Sequence, residues 1–243
     1  MHRFFVPQDW LAEGKAFIKG EQAQQISHVL RLKSGDHITV LDNSGGEYDV
    51  EIEKVGGELV QGKVVGKALC ASEPKIKITL YQALLKADKF EFVLQKAVEL
   101  GVSAFVPFTC ERCVVKKPEE NKVNRWQKII QEAAEQSRRA LLPVLHPAVS
   151  FKEACEMAGA PSILLWEEEK STGLTVVLRS QPFRSTQTLN VFVGPEGGFS
   201  AAEAEHAKSR EIVSVSLGRR ILRAETAGLA AVSAILYEKG ELG

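Results

Sequence analysis

The chain has no apolar run close to the roughly 18 residues that a membrane-spanning helix needs. Its N-terminus, MHRFFVPQDW, lacks the basic and apolar segments of a signal peptide. It has only four cysteines: Cys70, Cys110, Cys113 and Cys155. Cys110 and Cys113 form a C-x-x-C motif, but a structural zinc site usually needs four ligands, and the sequence has no second pair. We therefore expect a cytoplasmic protein with reduced cysteines and no metal.

The sequence also has no net charge, because 31 Lys and Arg balance 31 Asp and Glu. Residues 1–74 carry 8 basic and 11 acidic side chains, and residues 75–243 carry 23 and 20. This balance lacks the basic excess that is typical of a nucleic-acid-binding domain. Any binding of nucleic acid would therefore depend on local basic patches.

Residues 1–70 contain short β-like segments separated by turns. HITVLD (37–42) and EYDVEIEKV (47–55) predict strands, the second with apolar residues at alternate positions. Gly-Gly at 56–57 predicts a tight hairpin after the second strand. GEQAQQISHVLRLKSGD (20–36) predicts one short helix closed by Gly35. These features indicate a small β-barrel domain over residues 1–72, with ASEPK (71–75) as a linker.

From residue 76 onward, apolar strand-like runs alternate with helical patterns. The predicted strands are IKITLYQALL (76–85), AFVPF (104–108), SILLWEE (162–168), LNVFVGP (189–195) and IVSVSLG (212–218). The predicted helices cover 87–101, 121–142, a segment that opens at Ser200 with Glu203 at capping-box spacing, and 225–239. Such alternation predicts an α/β domain over residues 73–243, with a parallel sheet and helices on both of its faces.

The segment VFVGPEGGFS (191–200) places a glycine-rich turn between a predicted strand and a predicted helix. It differs from the G-x-G-x-x-G motif of dinucleotide-binding proteins, and it lacks the G-K-[ST] of a phosphate-binding loop. Glu196 within the turn would repel a phosphate. The turn therefore predicts a site for a neutral or cationic ligand, and the alternative is a tight turn that binds nothing.

The segment LGRRILRAETA (217–227) combines three arginines, Arg219, Arg220 and Arg223, with Glu225 and Thr226 at a helix start. Carboxylates and hydroxyls suit that position because the first backbone amides of a helix lack partners. Ligands of open parallel sheets bind beyond the carboxyl ends of the strands. This segment, the glycine turn and LLWEEEK (164–170) all follow predicted strands. The alternative is a capped helix with solvated arginines.

Together, GPEGGFS and LGRRILRAETA resemble the SPOUT methyltransferase superfamily and, more closely, the ribosomal RNA small subunit methyltransferase E family. MHRFFV and HVLRLKSGD resemble that family's N-terminal RNA-binding module. KFEFVLQKAVELGVSAFVPFTCERCVVK and RWQKIIQEAAEQSRR resemble its central segments, so the resemblance covers nearly the whole chain. It implies a PUA-like N-terminal β-barrel domain and a C-terminal SPOUT-type parallel sheet with a deep trefoil knot.

The resemblance further implies an enzyme that uses S-adenosylmethionine to methylate N3 of a uridine in 16S ribosomal RNA of the small ribosomal subunit. It implies a homodimer with cofactor sites near the subunit interface. S-adenosylmethionine has no phosphate and carries a sulfonium cation, which suits a glycine turn that contains Glu196. The residues expected to bind it are Leu165, Glu167, Val193, Gly194, Glu196, Gly197, Leu217, Gly218, Ile221, Leu222, Arg223 and Thr226.

Uridine N3 carries a proton at neutral pH, so catalysis needs a base or a cation that stabilises the developing anion. Arg223 and Glu225 are the candidates for these catalytic roles. The residues expected to contact RNA are Arg3, Arg31 and Lys33 in the first domain and Lys86, Arg112 and Arg138 in the second. We expect neither a metal nor a membrane to take part.

Two other functions remain open. The first is a methyltransferase of the same fold that acts on tRNA or on a ribose 2′-hydroxyl. The second is a non-catalytic RNA-binding protein of the ribosome that uses the β-rich module alone and binds no cofactor.

Overall fold

The computed structural model describes residues 1–86, 88–116, 118, 120–159 and 161–242. These residues divide into two units: the first contains Met1–Glu73 and Ala134–Leu142, and the second contains Pro74–Ala133 and Pro143–Gly243. No helix among the described residues is long and apolar enough to cross a bilayer.

The first unit contains one six-stranded sheet. Its strands are β1 (His2–Phe5), β2 (Leu11–Ala12), β3 (Lys15–Lys19), β4 (His37–Leu41), β5 (Gly46–Val55) and β6 (Leu59–Leu69), in the order β1-β4-β5-β6-β3-β2. β1 and β4 run parallel, and the other neighbours run antiparallel. Alternate side chains such as Ile38, Val50 and Val60 are fully buried in one core, as expected for strands with one face turned inward.

The hairpin predicted at Gly-Gly 56–57 is confirmed, because the Gly56 amide donates a hydrogen bond of 2.9 Å to the Leu59 carbonyl between β5 and β6. The single helix predicted over 20–36 is too long. The structure has α1 (Gly20–Gln24), followed by a π-helical turn (Gln25–Val29). Arg31 then adopts a left-handed φ of 55°, which ends the helix several residues before Gly35.

A buried ion pair lies within the first unit. The Arg139 guanidinium donates to the Glu73 carboxylate at 2.9 Å, and the two side chains are only 4% and 11% exposed. Glu73 Oε1 also accepts hydrogen bonds of 3.1 Å from the amides of Ala140 and Leu141. Burial would raise the pKa of the Glu73 carboxyl, but the hydrogen bonds and the charge of Arg139 lower that pKa below its ordinary value.

The second unit contains a parallel sheet in the order β10-β8-β7-β12-β11-β13, with β9 also paired to β8. The strands are β7 (Lys77–Ala83), β8 (Ala104–Thr109), β9 (Val144–Leu145), β10 (Val149–Ser150), β11 (Ser162–Leu165), β12 (Thr188–Val193) and β13 (Val213–Val215). Every pair among them is parallel. The predicted parallel sheet is therefore confirmed, and its apolar strands are buried on both faces.

The helices of this unit are α2 (Lys89–Leu100), α3 (Glu120–Gln136, whose last three residues belong to the first unit), α4 (Phe151–Met157), α5 (Leu174–Arg179), α6 (Ala201–Ser209) and α7 (Ala224–Glu238). The helix predicted over 87–101 begins at residue 87, which lies outside the described residues. The predicted C-terminal stop at Gly101 is confirmed, because this residue has a φ of 105° after α2.

Helices pack on both faces of the parallel sheet. Tyr81 and Phe192 stack with ring centroids 4.2 Å apart in a cluster that includes Phe151 of α4 and Ala207 of α6. The next side chains along β7 and β12 point to the opposite face. There, Val193 lies next to Gly228 of α7, where an added Cβ would be 3.2 Å from Val193 Cγ2.

One predicted helix of the second unit is too long, and helices α4 and α5 were not predicted. The helix predicted over 121–142 ends at Gln136, and Arg138 has a left-handed φ of 63°. The amides of Ala140 and Leu141 bond to Glu73 and do not continue the helix. Helix α4 was not predicted, although Ser150 and Glu153 form the same capping box that the structure confirms at Ser200 and Glu203.

Candidate active site

A cavity of about 790 Å³ opens beyond the carboxyl ends of β11, β12 and β13. Its walls are the three loops that follow these strands, together with Lys89 in the first turn of α2. The volume lies within the range of small-molecule sites. Its position matches the general rule for parallel sheets.

The loop after β12 is the glycine turn. The Gly198 amide donates a hydrogen bond of 2.9 Å to the Pro195 carbonyl, which closes a tight turn. Gly198 has a φ of 69°, and a Cβ added there would overlap the Glu167 carboxylate. Glycine is therefore favoured at this position by the left-handed backbone, whereas the exposed Glu167 side chain would have to move aside for a β-carbon.

The loops after β11 and β13 are bonded to each other. The Trp166 amide donates to the Val215 carbonyl at 3.1 Å, and the Ser216 amide donates to the Thr172 carbonyl at 2.8 Å. The Glu169 carboxylate accepts hydrogen bonds from the Ser171 amide and hydroxyl at 2.7 and 2.6 Å. These bonds hold two walls of the cavity in a fixed relation.

Most residues predicted to bind the cofactor line this one cavity. They are Leu165, Glu167, Val193, Gly194, Glu196, Leu217, Gly218, Ile221, Leu222 and Arg223, and the predicted catalytic residue Glu225 joins them. Gly197 and Thr226 are not among the lining residues. A Cβ at Gly197 would lie 3.0 Å from Arg112 Cβ, so bulk at this position would meet Arg112 first.

Sequence reasoning missed several lining residues, including Lys89, Trp166, Lys170, Gly198 and Ser216. Lys89 lies 3.4 Å from Glu225 Oε1 and 3.9 Å from Glu196 Oε1, both measured from its Nζ. Gly198 lies in the VFVGPEGGFS segment, so the sequence already contained the signal that would have placed it among the cofactor-binding residues. Lys89 follows β7 in the chain. It reaches the cavity because β7 pairs with β12 in the sheet, and the sequence alone does not give this strand order.

Two buried polar atoms of the lining residues have no hydrogen-bond partner within the described part of the chain. They are Trp166 Nε1, a donor, and Glu225 Oε2, an acceptor. Buried polar atoms are normally paired, but neither of these atoms has surface that opens into the cavity, and the Trp166 side chain packs against the aromatic cluster around Phe192. The apolar side chains of Leu165, Val193 and Leu222 supply nonpolar wall beside them.

The cavity therefore suits a small ligand that has an apolar part and charged groups, because side chains of both signs line it: Glu167, Glu196, Glu225, Lys89, Lys170, Arg219, Arg220 and Arg223. Within the described residues, no group of three or more His, Cys, Asp and Glu side chains could hold a metal ion.

The C-x-x-C segment lies next to the glycine turn. The Arg112 guanidinium donates to the carbonyls of Gly197 and Phe199 at 2.9 and 3.4 Å. Cys110 and Cys113 on either side of it are free thiols with sulfurs 3.5 Å apart. The hydrogen bond from Cys110 lowers the pKa of the Cys113 thiol to about 7, whereas the pKa of Cys110 is raised. Arg112 thus stabilises the glycine turn through these hydrogen bonds, and it is not among the residues that line the cavity.

The residues predicted to contact RNA differ in accessibility. Arg31, Lys33 and Arg138 are exposed side chains of the first unit, so Arg138 lies in a different unit from the one expected. Lys86 is exposed in the second unit. Arg3 is paired with Glu47 at 2.7 Å, and its side chain is 11% exposed. The internal bonds of Arg3 and Arg112 leave these two arginines fewer donors for phosphate.

Comparison with protein families defines the class. Residues 72–236 match the RNA methyltransferase domain, and residues 18–65 match the RNA methyltransferase PUA domain. The first match covers the cavity and all three of its loops.

The chain is 36% identical to ribosomal RNA small subunit methyltransferase E of Bacillus subtilis, over 98% of this chain and 97% of the relative. It is 33% identical to the protein of the same name from Synechocystis sp., over 97% and 78%. The crystal structure of a ribosomal RNA small subunit methyltransferase E from Neisseria gonorrhoeae, bound to S-adenosyl methionine, has a TM-score of 0.87 and 29% identity, covering 98% of this chain and 97% of that one. The chain belongs to the ribosomal RNA small subunit methyltransferase E family.

Proposed function

We propose that this protein transfers the methyl group of S-adenosylmethionine to N3 of a uridine in 16S ribosomal RNA of the small ribosomal subunit. The main observation in support of this proposal is the cavity at the carboxyl ends of β11, β12 and β13. Its glycine turn presents Glu196 and no lysine, and it lies in a chain that belongs to this enzyme family. A relative crystallised with S-adenosyl methionine supports the choice of cofactor.

The cofactor would lie against the three loops. The apolar side chains of Leu165, Val193, Leu217, Ile221 and Leu222 would contact the adenine. Gly194, Gly198 and Gly218 leave room for backbone groups to approach the nucleoside. Glu196 and Glu167 would attract the cationic centre. When bound, the cofactor supplies a methyl group on a positively charged sulfur.

The chain's own residues would prepare the uridine. Methyl transfer depends mainly on the alignment of the reacting atoms, but N3 must first lose its proton. Glu225 lines the cavity and its side chain is 14% exposed, so its carboxylate is a candidate proton acceptor. Arg223 is exposed at the start of α7 and is a candidate to stabilise negative charge on the uracil ring.

The RNA would be bound by exposed cations of each unit. Arg31, Lys33 and Arg138 offer phosphate contacts in the first unit, and Lys86 does so in the second. Arg219 and Arg220 at the cavity are exposed, and their guanidinium groups have no bond to another described residue. Cations at the cavity would hold the RNA backbone while the target base enters.

We further propose a homodimer and a trefoil knot in the second unit, both implied by the family. Ile221 and Tyr237, beside and within α7, are 84% and 73% exposed and are candidates for contact with a second copy. Analytical ultracentrifugation would test the dimer, and a single monomeric species at micromolar concentration would contradict it. Action on ribosomal RNA would place the protein in the cytoplasm.

Incubation with purified small ribosomal subunits that lack the modification, followed by mass mapping of the RNA, tests the reaction. The expected product is one N3-methyluridine in 16S RNA. Modification of tRNA or of a ribose 2′-hydroxyl would favour the first alternative function. Absence of S-adenosylmethionine binding in calorimetry would favour the non-catalytic RNA-binding protein.

A further inference from the structure

The first turn of α2 contributes one cation, Lys89, to the cavity. Its ammonium lies 3.4 Å from Glu225 Oε1 at the start of α7 and 3.9 Å from Glu196 Oε1 in the glycine turn. The positive charge of Lys89 therefore lies near carboxylates from two other segments of the second unit, the start of α7 and the glycine turn. The side chains of Lys89, Glu225 and Glu196 are 36%, 14% and 29% exposed, so Glu225 is the most buried of the three.

The two oxygens of the Glu225 carboxylate differ in environment. Oε1 faces Lys89, whereas Oε2 is buried without a partner among the described residues. A cation beside one oxygen fixes the orientation of a carboxylate by charge attraction. Glu225 lines the cavity and its side chain is 14% exposed, so the position in which Lys89 holds this carboxylate would set how it meets a proton on a group within the cavity.

We propose that Lys89 is a positioning residue for the methyl-transfer reaction, which holds the Glu225 carboxylate in place to accept the N3 proton of the target uridine. This inference rests on the proposed function. The N3–H bond breaks and an O–H bond forms on Glu225, while the electron pair left on N3 bonds the methyl carbon of the sulfonium donor. The S–CH₃ bond breaks in the same step, and its electron pair returns to the sulfur, which leaves as a neutral thioether. The protonated Glu225 returns its proton to water after the product leaves.

A structural role for Lys89 is the competing explanation, because the same ammonium also lies near the glycine turn. If Lys89 only held that turn, its loss would weaken cofactor binding. If Lys89 acts through Glu225, its loss would slow turnover and leave the affinity for S-adenosylmethionine unchanged. Cofactor affinity and turnover therefore separate the two explanations.

The test compares the full-length wild-type protein with Lys89→Met, Lys89→Arg, Glu225→Gln and the double variant Lys89→Met/Glu225→Gln. Lys96→Met is the matched control, because Lys96 lies on the same helix and pairs only with Glu99 among the described residues, at 2.8 Å. The measurements are kcat on unmodified small ribosomal subunits and the Kd of S-adenosylmethionine by calorimetry.

We expect Lys89→Met to lower kcat by about 10-fold to 100-fold, within the range for an impaired general base, with an unchanged Kd. Lys89→Arg should recover most of the rate. The double variant should be no slower than Glu225→Gln alone, because residues that act together are not additive.

A wild-type rate in Lys89→Met would overturn the inference. So would a loss of cofactor affinity as large as the loss of rate, or additive losses in the double variant. Absence of methyl transfer by the wild-type protein would instead overturn the proposed function itself.

Discussion

Gly198 lies so close to Glu167 that any β-carbon on residue 198 would overlap the Glu167 carboxylate. The two residues come from the loops after β12 and β11, which form adjacent walls of the cavity. A side chain at residue 198 would therefore force the exposed Glu167 carboxylate out of its present position in the cavity wall.

Replacing Gly198 by Ala should therefore damage the cofactor site. Alanine at a φ of 69° is strained, which costs about 1–2 kcal/mol, and the added methyl group would displace Glu167. We expect the Kd of S-adenosylmethionine to rise about tenfold or more, a loss of about 1.4 kcal/mol for each factor of ten. Calorimetry measures this directly.

Gly159→Ala is the matched control, because a Cβ at Gly159 would meet no other atom within 4 Å. Equal cofactor affinities in Gly198→Ala and Gly159→Ala would contradict the proposed site.

The Glu73–Arg139 pair should contribute strongly to the stability of the first unit. Glu73→Gln removes a carboxylate that is 11% exposed, and breaking a buried pair costs about 3 kcal/mol. The matched control is Glu156→Gln, because the Glu156–Arg210 pair is 44% exposed on both sides and should contribute less than about 1 kcal/mol. Denaturant unfolding compares the two variants, and similar losses would contradict this difference.

The same pair predicts a dependence of stability on pH. The pKa of Glu73 is lowered in the folded protein from its ordinary value of 4.5, so its contribution is complete above that pH and disappears as the pH falls below it. The stability difference between wild type and Glu73→Gln should therefore shrink on acidification below pH 4.5. A difference that stays constant down to the acid transition would contradict the assignment.

Arg223 should act on the reaction more than on the cofactor. Its backbone carbonyl accepts bonds of 2.8 Å from the amides of Thr226 and Ala227, which an alanine would preserve, and its guanidinium is exposed at the cavity. We expect Arg223→Ala to lower kcat by about 100-fold, as for the loss of one group that stabilises developing charge. The Kd of S-adenosylmethionine should change little. An unchanged kcat would remove Arg223 from the catalytic residues.

Arg219 and Arg220 should contribute to RNA affinity through phosphate contacts. Each Arg→Ser replacement should weaken binding of the small subunit and reduce the slope of log affinity against log salt concentration by about 1. The control is Lys208→Ser on α6, because Lys208 is 76% exposed and lies outside the cavity lining. Salt slopes that match wild type in both arginine variants would show that the RNA does not cross this edge of the cavity.

Five strands of the parallel sheet could be predicted because each is a short apolar run that ends at a glycine or polar turn, whereas the two-residue strands β9 and β10 were not predicted. The predicted strands extend past the observed ends of β11, β12 and β13 by three, two and three residues. The structure places these extra residues in the cavity loops. The capping boxes at Ser200 and Ser150 are local sequence signals for the start of a helix, and a helix was predicted only at Ser200.

Features that depend on distant contacts could not be predicted in this way. The end of α3 is the clearest case, because Ser137–Leu142 contains residues that favour helices, yet Glu73 binds the amides of Ala140 and Leu141. Lys89 is another, because its place in the cavity follows from β7 lying beside β12. The cavity loops themselves were found because two unusual segments, at 194–198 and 217–226, carry the family's pattern.

Mass mapping of ribosomal RNA tests the central claim most directly. Small ribosomal subunits that lack the modification would be incubated with the purified protein and isotopically labelled S-adenosylmethionine, and the RNA fragments analysed by mass spectrometry. The account predicts one labelled methyl group on N3 of a single uridine in 16S RNA. Label on a ribose hydroxyl, label only on tRNA, or no label at all would contradict it.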